Sequence, residues 1–148
     1  MPLRYFEDFA AGQEYPFGPH EVTRAEIISF AAEYDPQPFH LDERAAAETI
    51  LGGLAASGWH TCALFMRMVA LGWLNDSASM GSPGIDTLKW RRPVRPGDTL
   101  SGRSIVLDTR ASSNKPDRGF LKMRHEVVND SNEVVMLVEH SIMMGRRG

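Results

Sequence analysis

The sequence predicts an α+β fold in a single domain over residues 1–148, a curved antiparallel β-sheet wrapped around one long central helix. Three observations predict it. Helical patterning occupies the first half of the chain and strand patterning the second, the order typical of α+β domains. Residues 59–74 are apolar on every helical face, with Arg67 the only charge, and a helix apolar all round is buried. Residues 85–143 read as successive strands separated by Pro/Gly and Asn/Asp turns. A sheet with an apolar face needs cover, and the all-apolar helix is the element that supplies it.

Taken in order, residues 14–22 hold a short strand interrupted at Pro16 and Pro19. Thr23 is a helix N-cap with Glu26 at the capping-box spacing. Ile27, Ile28, Phe30, Ala31 and Tyr34 give that helix its apolar face, and it runs to about Glu33. Asp42 caps a second, Ala-rich helix over residues 43–49, which Gly52 and Gly53 end. The central helix follows, with Gly72 as its weak point, and then a Ser/Gly/Asn loop over residues 75–84. Strands are expected over residues 85–92, 99–109, 120–128 and 134–143, joined as a meander. In residues 120–128 Leu121, Met123, His125 and Val127 share one face; Lys122, Arg124 and Glu126 share the other. The last strand is apolar on both faces, which places it inside the sheet.

Composition excludes several function classes. The formal net charge of -3 lacks the basic footprint of a nucleic-acid binder. The central helix is shorter than the roughly 20 residues of a membrane span and carries Arg67 mid-run. Cys62 is the only cysteine, so no intrachain disulfide forms, and a reducing, cytoplasmic location is expected. Residues 1–15 contain Glu7, Asp8 and Glu14 and no apolar run, unlike a signal peptide. His20, His60 and Cys62 show no zinc spacing, so no metal site is expected.

The stretch Tyr34-Asp35-Pro36-Gln37-Pro38-Phe39-His40 carries the chemistry. Each proline fixes φ and lacks an N–H, so the helix cannot continue through it. Each also pushes the residue before it toward extended backbone. The expectation is a stiff, extended bridge with a carboxylate at one end and an imidazole at the other. Acid–base groups work only when held in place. The structural alternative is a connector in which Asp35 ends a helix and His40 is a satisfied, partly buried side chain.

Three segments in order resemble the MaoC-like dehydratases and the related (R)-specific enoyl-CoA hydratases, which have the hotdog fold. Their signature Gly-Asp-x-Asn-Pro-x-His is met at Asp35, Pro38 and His40, with Tyr34 in place of Gly and Gln37 in place of Asn. Gly58 stands at the spacing of the family's glycine at the start of the central helix. Residues 93–98, Pro-Val-Arg-Pro-Gly-Asp, resemble its Pro-Val-x-Pro-Gly-Asp segment. The resemblance implies reversible addition of water to a trans-2-enoyl thioester of coenzyme A or acyl carrier protein. It implies Asp35 and His40 as the groups that activate water and Gly58 N–H as the donor to the thioester oxygen. It also implies a homodimer or a higher oligomer of dimers.

Substrate contacts are expected from Gln37, Ser57, His60 and Arg91. Ser57 has a second reading as the N-cap of the central helix, His60 as a packing residue, Gly58 as a helix-entry glycine with no ligand, and Arg91 as part of a solvated basic edge with Lys89, Arg92 and Arg95. No metal or redox cofactor is needed, coenzyme A being part of the substrate. Two rival functions remain on the same fold. A hotdog thioesterase usually places a carboxylate on or beside the central helix, and residues 59–74 hold no Asp or Glu. A non-catalytic acyl-CoA binding module is the other.

Overall fold

In the computed structural model, which describes residues 3–148, one five-stranded antiparallel sheet curls around one helix. Met1 and Pro2, which open the mixed N-terminal stretch, lie outside the described residues. The elements run β1 (Glu14–Glu21), α1 (Arg24–Tyr34), α2 (Glu43–Ala47), α3 (Gly58–Gly72), β2 (Ile85–Trp90), β3 (Thr99–Ala111), β4 (Arg118–Val128) and β5 (Val134–Gly145). Short 3-10 turns at Phe6–Asp8, Pro38–His40 and Leu74–Asp76 were not anticipated by the periodicity.

The strand order is β1-β3-β4-β5-β2. β3, β4 and β5 form the expected meander; β2 does not join it. It pairs with β5 at the far edge, so residues 91–98 cross the sheet to reach β3. On the way they pass the start of α3, where Ala56 N–H donates to Val94 C=O (2.9 Å). That crossing is the structural use of the Pro-Val-Arg-Pro-Gly-Asp segment. β1 is continuous through both prolines because it is an edge strand, where a missing N–H costs no ladder bond. The irregularity expected there is a register shift between Phe17 and His20, with Gly18 at φ 92°.

The core lies between the inner sheet face and α3. Leu100, Val106, Leu121, Met123, Val127, Met136, Val138, Ile142 and Met144 meet Leu64, Phe65, Met68 and Val69 there. Each fully buried aliphatic side chain of this kind stabilises the fold by roughly 1.5–3 kcal/mol. β4 alternates as its sequence requires, and β5 lies inside the sheet. α3 departs from expectation: only one face is buried. Trp59 (60% exposed) and Met66 (44%) lie on the opposite face with Ala63, an apolar stripe at i, i+4, i+7. Gly72 is no weak point, because a Cβ there would stand 3.2 Å from Phe17 Cβ, where β1 packs on the helix.

The two strand histidines are core residues. Trp73 Nε1–H donates to Ser104 Oγ (3.0 Å), which sits 2.8 Å from His125 Nδ1; His125 Nε2 is 2.8 Å from His140 Nε2. His140 Nδ1 is 2.9 Å from Ser82 Oγ, which donates to the Ser141 carbonyl (2.6 Å). Indole only donates and carbonyls only accept, so Trp73 donates at one end and the Ser82 hydroxyl spends its proton on a carbonyl at the other, leaving Ser82 Oγ to accept from His140 Nδ1–H. Burial lowers the pKa of both imidazoles, and in their neutral forms these directions put the proton on Nε2 of His125 and on Nδ1 of His140.

Candidate active site

α1 starts as expected, with Glu26 N–H donating to Thr23 Oγ1 (3.1 Å). The capping box does not close. Glu26 turns its carboxylate to His20 Nε2 (2.9 Å) and toward His60 Nε2 (3.4 Å). The helix ends at Asp35, whose N–H still donates to Ala31 C=O (2.9 Å). The bridge that follows is extended only as far as Gln37 (φ -82°, ψ 140°). Pro38 then opens a 3-10 turn through His40, since a proline in the first turn of a helix loses no hydrogen bond. The turn brings His40 back onto Asp35.

His40 Nε2 lies 3.5 Å from Asp35 Oδ2. His40 is buried at 7% exposure, and its Nδ1 is 2.8 Å from the Ala55 carbonyl oxygen. A carbonyl can only accept, so Nδ1 carries the proton. In the neutral ring the Nε2 lone pair then faces Asp35. Ser57 Oγ donates to Asp35 Oδ2 (2.7 Å) and Gln37 Nε2 to Oδ1 (2.6 Å). Burial raises the Asp35 pKa; the Ser57 and Gln37 bonds and the His40 imidazole outweigh it and hold it below the ordinary carboxylate value. Two acceptor atoms thus face each other across 3.5 Å, an arrangement that a water donating to both can bridge.

Ser57 also caps α3 by accepting from Trp59 N–H (3.2 Å), the second of its two readings, while its own O–H goes to Asp35. Gly58 is the first residue of the helix, and its N–H has no acceptor among the described residues. A helix N-terminus favours developing negative charge. The packing around this position also calls for glycine. A Cβ would stand 2.5 Å from Trp90 Cε2, and Trp90 Nε1–H donates to Gly58 C=O (3.0 Å). The indole covers the bare side of the glycine.

These groups open onto one cavity of about 580 Å³. Asp35, His40, Gly58 and Arg91 line it, with Trp59 and Trp90 forming part of its wall. Gln37 and Ser57 do not; they reach the site only by bonding Asp35. His60 points elsewhere, stacked on Phe30 (ring centroids 4.8 Å, 12° between planes) beside Glu26. Burial lowers the His60 pKa, partly opposed by the Glu26 carboxylate. The Ala55 carbonyl and Trp90 were missed from the sequence. A backbone carbonyl leaves no residue-type signal, and nothing in the chain pairs Trp90 with a glycine 32 positions earlier. Among the described residues no group of three or more His, Cys, Asp or Glu side chains is placed to hold a metal ion. No described helix is long and apolar enough to cross a membrane.

A helix held in a single curled antiparallel sheet defines the class: a hotdog protein. The chain belongs to the MaoC-like family, whose domain model (MaoC like domain) matches residues 8–128. It is similar to the MaoC-like dehydratase of Rhodospirillum rubrum, at 40% identity and a TM-score of 0.91 over 97% of this chain and 98% of that one. The (R)-hydratase PhaJ1 of Pseudomonas aeruginosa is 25% identical, with a TM-score of 0.75 over 97% and 86%. The uncharacterized protein YdeM of Bacillus subtilis (strain 168) is 28% identical over 141 residues, 95% of this chain and 98% of its own length.

Proposed function

We propose that the protein adds water reversibly to a trans-2-enoyl thioester, giving the 3-hydroxyacyl thioester. The observation that carries the reading is the 3.5 Å pair of acceptors, Asp35 Oδ2 and His40 Nε2, on the wall of a cavity that Gly58 also lines. A water held between them donates one O–H to each. As its oxygen bonds to the β-carbon, its proton passes to the pair, and the pair returns a proton to the α-carbon. Negative charge gathers on the thioester oxygen in between, where Gly58 N–H meets it. Gln37 and Ser57 keep Asp35 ionised and aimed.

This is acid–base addition and calls on no metal or redox cofactor; coenzyme A or acyl carrier protein enters with the substrate. Arg91 at the cavity suits the carrier's phosphates. The lone, half-buried thiol of Cys62 suits the reducing cytoplasm. A homodimer is part of the proposal. Among the described residues nothing pairs along the outer edge of β2, where Trp90 (46% exposed) meets Trp59 of the outward stripe of α3 (ring centroids 5.3 Å). A second copy that pairs along β2 would cover both the edge and the stripe.

The test is incubation with crotonyl-CoA, following enoyl absorbance and free thiol together. Hydration removes the absorbance without releasing thiol. Release of thiol would make the protein a thioesterase, and binding without either change would make it a carrier-binding module.

A further inference from the structure

The segment between α2 and α3 has no regular structure, yet it carries the carbonyl that sets the His40 tautomer. Residues 53–57 are buried, and a buried backbone must find partners for its polar groups. Most of the partners for residues 51–56 come from two places. From the 91–98 crossing, the Arg95 guanidinium donates to the carbonyls of Gly53 (Nη1, 2.8 Å), Leu54 (Nη1, 3.4 Å) and Leu51 (Nη2). Val94 C=O takes the Ala56 N–H. From α2, Glu43 Oε1 accepts the Leu54 N–H (3.0 Å), while Glu43 Oε2 pairs with Arg24 (3.0 Å). Gly53 is gripped between them: a Cβ there would lie 3.1 Å from Glu43 Oε1 and 3.5 Å from Arg95 Nη1. Arg95 is itself tied at its base, its N–H donating to Asp98 Oδ2 (2.8 Å).

We infer that Arg95 is a positioning residue for His40. By taking three carbonyls of residues 51–54 at once, the guanidinium fixes the strap so that the Ala55 carbonyl stands over His40 Nδ1. That leaves the Nε2 lone pair toward Asp35 and the cavity. The planar fork of arginine suits this geometry, since Nη1 and Nη2 take different carbonyls from separate positions whereas an ammonium presents all its donors from one nitrogen. The role as a base helper rests on the proposed hydration reaction; the tautomer control does not.

The full chain, labelled with 15N at histidine, tests this by long-range imidazole 1H–15N correlation at about pH 8, above the ordinary imidazole range. In the unaltered protein His40 is expected as the Nδ1–H tautomer alone; an Nε2–H form or a mixture there overturns the inference without any variant. In Arg95→Ala the Nε2–H form is expected to appear. In Arg95→Lys it appears to a smaller extent. Both spectra are read on protein whose circular dichroism matches the parent, and Arg95→Gln takes the place of any variant that does not fold. With crotonyl-CoA, kcat is expected to fall on the order of 10- to 100-fold in Arg95→Ala, with KM moving less. A folded variant that keeps the Nδ1–H tautomer and its kcat within about twofold, where a positioning loss would be tenfold or more, overturns the inference. If the unaltered protein hydrates no enoyl-CoA, the reaction assignment fails while the tautomer spectra still decide the role of Arg95.

Discussion

Acid should unfold this protein earlier than its carboxylates dictate, and one histidine can be singled out as a cause. Burial, and next the neighbouring His140, push the His125 pKa from the ordinary 6.5 down to about 3. The unfolded chain therefore binds a proton below pH 6.5 that the folded chain refuses until about pH 3. Stability from this group is complete above 6.5 and is lost as pH falls through that window. The slope approaches about 1.4 kcal/mol per pH unit, and the loss between pH 7 and 5 is about 2 kcal/mol. That is a large part of the 5–15 kcal/mol that holds a typical domain together. His140 and His60 act in the same direction, each lowered chiefly by burial; for His140 the Asp86 carboxylate opposes and Lys122 adds. Asp35 and the other lowered carboxylates contribute only nearer pH 4, so the upper window belongs to histidines. Gln at position 125 keeps one acceptor for Ser104 and one donor for His140 and does not titrate. Urea unfolding of parent and His125→Gln between pH 7 and 5 should show the variant's stability falling by about 2 kcal/mol less. Equal slopes would refute the assignment.

Three further outcomes follow from the site. Ser57→Ala removes a bond to Asp35 and the α3 cap; the acid limb of the rate profile should move to higher pH, and stability should fall by about 1 kcal/mol, read by denaturation. Gly58→Ala drives a Cβ into the Trp90 indole, so kcat/KM should drop on the order of tenfold or more; adding Trp90→Ala should restore part of it if the clash is the cause. Met66→Glu puts a charge in the outward stripe of α3, and sedimentation should show the proposed dimer giving way to monomer.

Much of this architecture was legible because it rests on periodicity. The alternation of β4, the Thr23 and Ser57 caps and the one long apolar helix each follow from local pattern. What escaped is non-local. The place of β2 beside β5 depends on residues 91–98 crossing the sheet, and nothing in those residues states their destination. The exposed face of α3 was read as buried because an apolar side chain looks the same in the sequence whether it meets the core or lies open at the surface. At the site, Asp35 and His40 stood out as a carboxylate and an imidazole flanking two prolines, and the resemblance to the family signature gave them their roles. The 3-10 turn that joins them was not, because Pro38 is equally at home in extended chain and at a helix start. Glu26 illustrates the same limit. Its spacing fits a capping box, yet two histidines outside the helix claim the carboxylate.

Asp35 and His40 are proposed to activate water together. Hydration of crotonyl-CoA by Asp35→Asn and His40→Ala, measured against the parent protein, tests it most directly. Removing either member of an acid–base pair should cost about 10²–10⁴-fold in kcat, and the double variant should lose little more than the worse single one. Near-parental rates in both single variants would contradict the account.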